Sequence, residues 1–211
     1  MTVTTLALDN VVEIVSVLSD AFHDYPVMQH ILGPDAPGAS PYPVRLHRLV
    51  QLFVSERAYR KEPLMGVRDA NGVLVGAAIM TLPGSPDPPP TLVALRESIW
   101  AELGTEPRRR YDAYATAANF FAGMDPHHHL NMIGVRRSHQ GLGLSRQLLA
   151  AVHQLGQADP ASPGTSLTTE RAVNVPLYEH FGYRVQGHTR VTSALETWGM
   201  FRPRDGAATA R

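Results

Sequence analysis

The chain of 211 residues has no cysteine. That excludes disulfides, thiolate nucleophiles and any zinc site built on sulfur. Neither sign of charge is in excess: 19 basic and 19 acidic side chains give a formal net charge of +0. General nucleic-acid binding usually shows a basic excess, so nucleic acid is not an expected partner. No apolar run reaches the roughly 18 residues that a membrane helix needs, so no membrane partner is expected. Met1 to Asp20 carries acids and no basic leader region, unlike a signal peptide. A cytoplasmic location is compatible with these absences, and no internal repeat is visible. What is present is a composition 44% hydrophobic and 18% charged, which suits one soluble α/β domain with a sizeable core.

The chain punctuates itself. Thr2 to Leu8 alternates like a short strand. Val11 to Phe22 carries apolar residues at helical spacing, with Asp9 or Asn10 able to cap it. Met28 to Leu32 is a second helical piece, Gly33 to Pro43 a loop, and Val44 to Tyr59 another helix. Met65 to Arg68 and Val73 to Leu82 read as strands joined by Asp69-Ala70-Asn71-Gly72, where Asn-Gly supplies the positive φ a tight hairpin needs. Pro83 to Pro90 breaks the pattern. Two helices are predicted next, over Leu92 to Leu103 with Thr91 as cap, and from about Glu106 to Met124. Tyr111, Tyr114 and Phe121 on the second are expected to face the core. Thr165 to Thr169 is strand-like, Asn174 to His180 a short helix that Gly182 stops. Tyr183 to Ser193 and Glu196 to Phe201 form a closing pair of strands, and a frayed tail is expected from about 203 to 211.

The stretch from His129 to Leu149 organises the rest. Leu130 to Val135 is an apolar run of strand length, and Gln140-Gly141-Leu142-Gly143 opens a helix carrying Leu144, Leu148, Leu149 and Val152 on one face. First-turn N–H groups lack intrahelical partners and the helix dipole favours negative charge there, so a glycine turn at this point is an anion site. A strand–helix–strand order also predicts a parallel pair on either side of this helix.

Two motifs give that site a more definite meaning. Gln140-Gly141-Leu142-Gly143-Leu144-Ser145 is similar to the Gln/Arg-x-x-Gly-x-Gly/Ala signature of the GCN5-related N-acetyltransferase (GNAT) family, with Ser145 in its last place. Asn174 to Tyr183 resembles the family's second signature, with Asn174, then Tyr178, then Phe181-Gly182-Tyr183. The resemblance spans about 1–202, is strongest over 130–191, and leaves 83–124 as a helical insertion. It implies an α/β fold of the mixed α+β kind, one domain with a central, mostly antiparallel sheet whose parallel pair splays at the cofactor site, flanked by helices.

The resemblance further implies acetyl-coenzyme A as cofactor. Backbone N–H groups of Gln140, Gly141, Leu142, Gly143 and Leu144, with Ser145, would hold the pyrophosphate. Arg136, Arg137 and Arg146 would pair with outer phosphates. Ile133, Gly134 and Val135 would hydrogen-bond the pantetheine in strand fashion, with Asn174 as a further contact. Tyr178 would protonate the departing thiolate. A backbone N–H near Val135 would polarise the thioester carbonyl. Glu170 and His129 are the two candidates for the base. The acceptor would be an amine of a small molecule or a peptide, acetylated directly in a ternary complex by a monomer or homodimer. The alternative is a module on the same fold that binds an acyl-CoA or small ligand without turnover. His127-His128-His129 invites a metal, but adjacent strand residues face opposite sides, so only His127 and His129 share a face, and no metal is expected.

Overall fold

The structure is a computed structural model that describes residues 2–35 and 38–204. Seven strands form one mixed sheet: β1 (Val3–Leu6), β2 (Leu64–Arg68), β3 (Leu74–Thr81), β4 (His128–Val135), β5 (Gly164–Thr169), β6 (Arg184–Thr192) and β7 (Leu195–Pro203). Their spatial order is β1-β2-β3-β4-β5-β7-β6, and every neighbouring pair is antiparallel except β4–β5. Seven helices flank it: α1 (Val11–Ala21), α2 (Pro26–Leu32), α3 (Tyr42–Tyr59), α4 (Pro90–Leu103), α5 (Thr105–Ala117), α6 (Leu144–Ala158) and α7 (Asn174–His180). The parallel pair straddles α6, as the strand–helix–strand order requires.

The core lies in two layers, one on each face. Ile14, Leu18, Leu49 and Trp100 pack from α1, α3 and α4 onto Ala77 and Ile79. Leu148 and Val152 of α6 pack with Tyr183 onto Val75, Ala78 and Met80. Both faces of β3 are covered, so Leu74 to Met80 is buried without a break. The β2–β3 turn forms as its residues dictate. Gly72 has φ +79°, and the Asp69 carboxylate accepts from the N–H groups of Asn71 and Val73, each at 2.9 Å.

Three boundaries differ from expectation. Thr91 does not cap α4, because Pro90 occupies the first helical position, where its missing N–H costs nothing. α5 stops at Ala117 rather than Met124. The chain then turns so that Phe120 lies against Gly187 and Gly199, whose missing side chains make its seat on β6 and β7. α7 spans Asn174 to His180 as expected, with Val173 in the cap position. The C-terminal strand runs on to Pro203, paired with Gly164, and the Arg204 N–H bonds the Pro163 carbonyl, so fraying does not begin at 203. The rest of the expected tail, 205–211, lies outside the described residues.

Candidate active site

The site starts where two strands part. β4 and β5 pair only from His128–Thr165 to Leu130–Leu167. Beyond Leu130 they diverge. Asn131 is an extra residue on β4 relative to β3, a bulge that bends the strand at this point. The Arg136 N–H donates to the Val75 carbonyl at 2.8 Å, beside the Gly76–Val135 pair. In an antiparallel ladder that makes Gly76–Val135 a non-hydrogen-bonded pair. Alternation then turns the backbone N–H and C=O of Ile133 and Val135 away from β3, into the gap that β5 leaves. Gly134 faces β3 opposite Ala77, so its backbone groups are spent within the sheet. This corrects the expectation that all three residues offer backbone groups to a ligand. Gly134 has a different use: a Cβ there would lie 2.7 Å from that of Ala21, so its absence lets α1 lie directly on the strand.

After β4, a 3₁₀ turn (Arg137–His139) leads to Gly141 at φ +80° and Gly143 at φ +73°. Side chains rarely adopt that conformation, and open space lies beside both residues. Gly143 caps α6 with no side-chain bond, so the first N–H groups of the helix lack an acceptor. The two positions that demand glycine are thus 141 and 143. In the signature read from Gln140, Gly143 is the first glycine position and Gly141 lies within it. Ser145, in its last place, is an exposed residue in the first turn of α6. Leu142 is exposed, Leu144 is buried beneath the helix, and the Gln140 side chain donates to the Val135 carbonyl at 3.3 Å.

Two expected phosphate ligands are committed elsewhere. The Arg136 guanidinium donates to the Leu74 carbonyl and to Ser16 Oγ, each at 3.0 Å. Arg137 bonds Asp20 through its N–H at 2.7 Å and through its guanidinium at 3.2 Å. Both arginines fasten α1 to the end of β4. Arg146, on the first turn of α6, remains exposed.

Two hollows meet at the splay. A groove of about 260 Å³ runs over the glycine turn, Val135 and Leu177. A cavity of about 630 Å³ lies beneath α2 to α5. They share Phe22, Tyr25, Ile133, Asn174 and Tyr178. Tyr178 is fixed by the end of its helix: the Gly182 N–H bonds the Glu179 carbonyl and the Tyr183 N–H the Tyr178 carbonyl, with Gly182 at φ +86°. Burial, with the Glu170 carboxylate nearby, pushes its hydroxyl up to about 12, so it is a proton donor at neutral pH. The Asn174 amide donates to Thr169 Oγ1 at 3.1 Å, and that oxygen also bonds the Tyr25 hydroxyl at 3.1 Å.

Glu170 follows β5 and lines the cavity, almost fully buried. Burial raises its pKa, while hydroxyl donors from Tyr114 at 2.7 Å and Thr197 at 2.8 Å act in the opposite direction. His129 lines the same cavity, and burial lowers it to about 4. His127 and His129 do share a face, both bonded to Ser166, whereas His128 points to the other side near Asp159. Among the described residues no three His, Asp or Glu side chains converge as a metal site would need.

Sequence reasoning missed Tyr25, Tyr114 and Thr197 as parts of the site. Tyr111 and Tyr114 pack on the core as expected, but both also line the cavity. Tyr111 packs at a tilt between Trp100 and Phe53, with ring centroids 5.2 and 5.7 Å away. Nearby, Glu56 is bracketed by Arg57, Arg60 and Arg96. No local pattern announces these contacts, because they join segments far apart in sequence.

Residues 113–201 match the family described as Acetyltransferase (GNAT) domain. The whole fold is similar to solved structures. One is a Corynebacterium glutamicum protein described as histone acetyltransferase HPA2 and related acetyltransferase, 22% identical, with TM-score 0.66 and coverage of 96% of this chain and 95% of that one. Another is the ribosomal-protein-S18-alanine N-acetyltransferase of Escherichia coli, 15% identical, with TM-score 0.58 and coverage of 100% and 97%. A third is yncA of Salmonella typhimurium, solved with its cofactor acetyl-CoA, 16% identical, with TM-score 0.53 and coverage of 100% and 98%.

Proposed function

Because the chain carries a GNAT acetyltransferase domain, we propose that it transfers an acetyl group from acetyl-CoA to an amine by direct attack in a ternary complex. The observation that carries this reading is the meeting of groove and cavity at Tyr178 and Ile133. Acetyl-CoA fits the groove chemically. The splayed strand offers the backbone groups of Ile133 and Val135 to an amide-bearing arm, and the glycine turn offers unpaired N–H groups to a pyrophosphate. When bound, the cofactor supplies an activated acetyl thioester at the junction.

The chain's own residues do the rest. The Val135 N–H, turned into the gap, is a backbone donor for a developing oxyanion. Tyr178 gives its proton to the leaving sulfur. The Glu170 carboxylate draws an ammonium group to the inner end of the cavity, and Glu170 and His129 are the groups that can accept its proton. The apolar wall of Phe53, Trp100 and Tyr111 favours an amine with an apolar or aromatic body, as a small molecule or a peptide end. The test is CoA release across a panel of aryl-alkyl, alkyl and peptide amines. Intersecting double-reciprocal lines are expected, and parallel lines would contradict direct transfer. Tight CoA binding with no release from any amine would instead favour a binding module.

A further inference from the structure

The hydrogen bonds around His129 define a direction. His127 Nδ1 lies 2.8 Å from the Asp125 carbonyl, which can only accept, so Nδ1 carries the hydrogen. A neutral ring then offers Nε2 as acceptor, 3.0 Å from Ser166 Oγ. Ser166, wholly buried, gives its hydrogen there and receives one from His129 Nδ1 at 2.7 Å. The His128 carbonyl, at 3.4 Å from Ser166 Oγ, is the weaker alternative acceptor. This order leaves Nε2 of His129 bare on a ring that lines the acceptor cavity. Three hydrogen bonds therefore run one way, from the cavity to Asp125 near the surface.

We propose that His129 takes the proton of the attacking amine and passes it out through Ser166 to His127. The inference rests on the acetyl-transfer reading. The ammonium first loses one proton to water, and as the free amine nitrogen bonds the acetyl carbon a second proton moves from it to His129 Nε2. The Nδ1 hydrogen of His129 moves to Ser166 Oγ, and the serine hydrogen moves to His127 Nε2. The C–S bond breaks and the sulfur takes the Tyr178 proton. His127, then doubly protonated and partly exposed, releases one proton to water. Water reaching both ends after product leaves restores the starting tautomers and returns a proton to Tyr178.

A relay suits this place better than a lone base. His129 packs against Phe121 and Ser166 and feels the charge of Arg57 from α3, so a lasting imidazolium there is disfavoured. In the relay no charge rests on His129, because one proton leaves as another arrives. His127, flanked by Phe121, Phe201 and the Asp125 carbonyl, stands at the open end.

The test is Ser166→Ala with Ser166→Thr as the conservative partner. With an accepted amine, Ser166→Ala should lose tenfold or more in kcat, in keeping with the roughly 100-fold or greater worth of positioned proton transfer. KM for the amine and Kd for CoA should change less than about twofold. A rate curved against deuterium fraction in the wild type should become linear in Ser166→Ala and curve again in Ser166→Thr. Independently of activity, nitrogen NMR should find both His127 and His129 as Nδ1–H tautomers. An active wild type with an unaltered Ser166→Ala, or His129 as the Nε2–H tautomer, overturns the relay alone. A wild type that turns over no amine overturns the acetyl-transfer reading and the relay with it.

Discussion

The groove and the cavity are made of different material. The groove is backbone: Ile133 and Val135 turned outward by the bulge, then N–H groups after two glycines held at positive φ. The cavity is side chains gathered from α1 to α5, β4 and the ends of β5. A backbone site needs certain residues at fixed spacing, since only glycine takes the conformation cheaply. A side-chain site can be assembled from anywhere the fold brings together. The first therefore binds what many chains can bind, and the second sets what this chain selects.

The two should fail separately. The largest effect is expected from Gly143→Val, which strains the cap of α6 and covers the N–H groups meant for phosphate. Losing two charge-assisted bonds corresponds to a Kd for CoA raised roughly 100-fold, read by calorimetry, with the fold retained by circular dichroism. Glu170→Gln addresses the cavity alone. KM for the amine should rise roughly 30-fold, about the worth of one charged hydrogen bond, with kcat and the Kd for CoA near wild type. A fall in kcat instead would make Glu170 the base. Tyr178→Phe sits at the junction. A thiolate whose conjugate acid has a pKa of about 8.5 leaves without much help, so kcat should fall only about tenfold, with CoA affinity unchanged.

These contrasts follow what was legible in the sequence. The glycine turn, the Asn174-to-Tyr183 motif, the hairpin at Asn71-Gly72 and the parallel pair could all be read, because each is local or is fixed by chain order. Which residues of the turn must lack a side chain could not: only the φ angles of Gly141 and Gly143 show it. Arg136 and Arg137 looked free because Ser16 and Asp20 lie more than a hundred residues away in sequence. Tyr114 could be read only as an apolar-face residue, and its bond to Glu170 spans 56 residues. The chemistry of the cavity was not legible, because its lining joins segments far apart in sequence.

A subtler expectation concerns Glu170. Tyr114→Phe removes a hydroxyl that favours the carboxylate, so the pKa of Glu170 should rise further. The acid limb of kcat/KM for the amine should move to higher pH, by less than about one unit for one such bond. A move to lower pH would show that Tyr114 does not serve the ionised form. Stability offers a further check, on the burial of His129 in the cavity and of His153 on α6. Burial holds His129 and His153 near 4, below the ordinary value, so the unfolded chain takes their protons first. Their contribution is present above pH about 6.5 and is lost as pH falls towards 4. The melting temperature should drop across that window, and His129→Gln should blunt the drop.

The central claim is that one ligand spans from the glycine turn to Tyr178, with the amine cavity beyond. A crystal structure with CoA bound tests it most directly. The pyrophosphate is expected on the N–H groups of residues 141–145, the pantetheine arm paired with the backbone of Ile133 and Val135, and the sulfur beside the Tyr178 hydroxyl. A pyrophosphate held away from the glycine turn, or a sulfur that does not reach Tyr178, would contradict it.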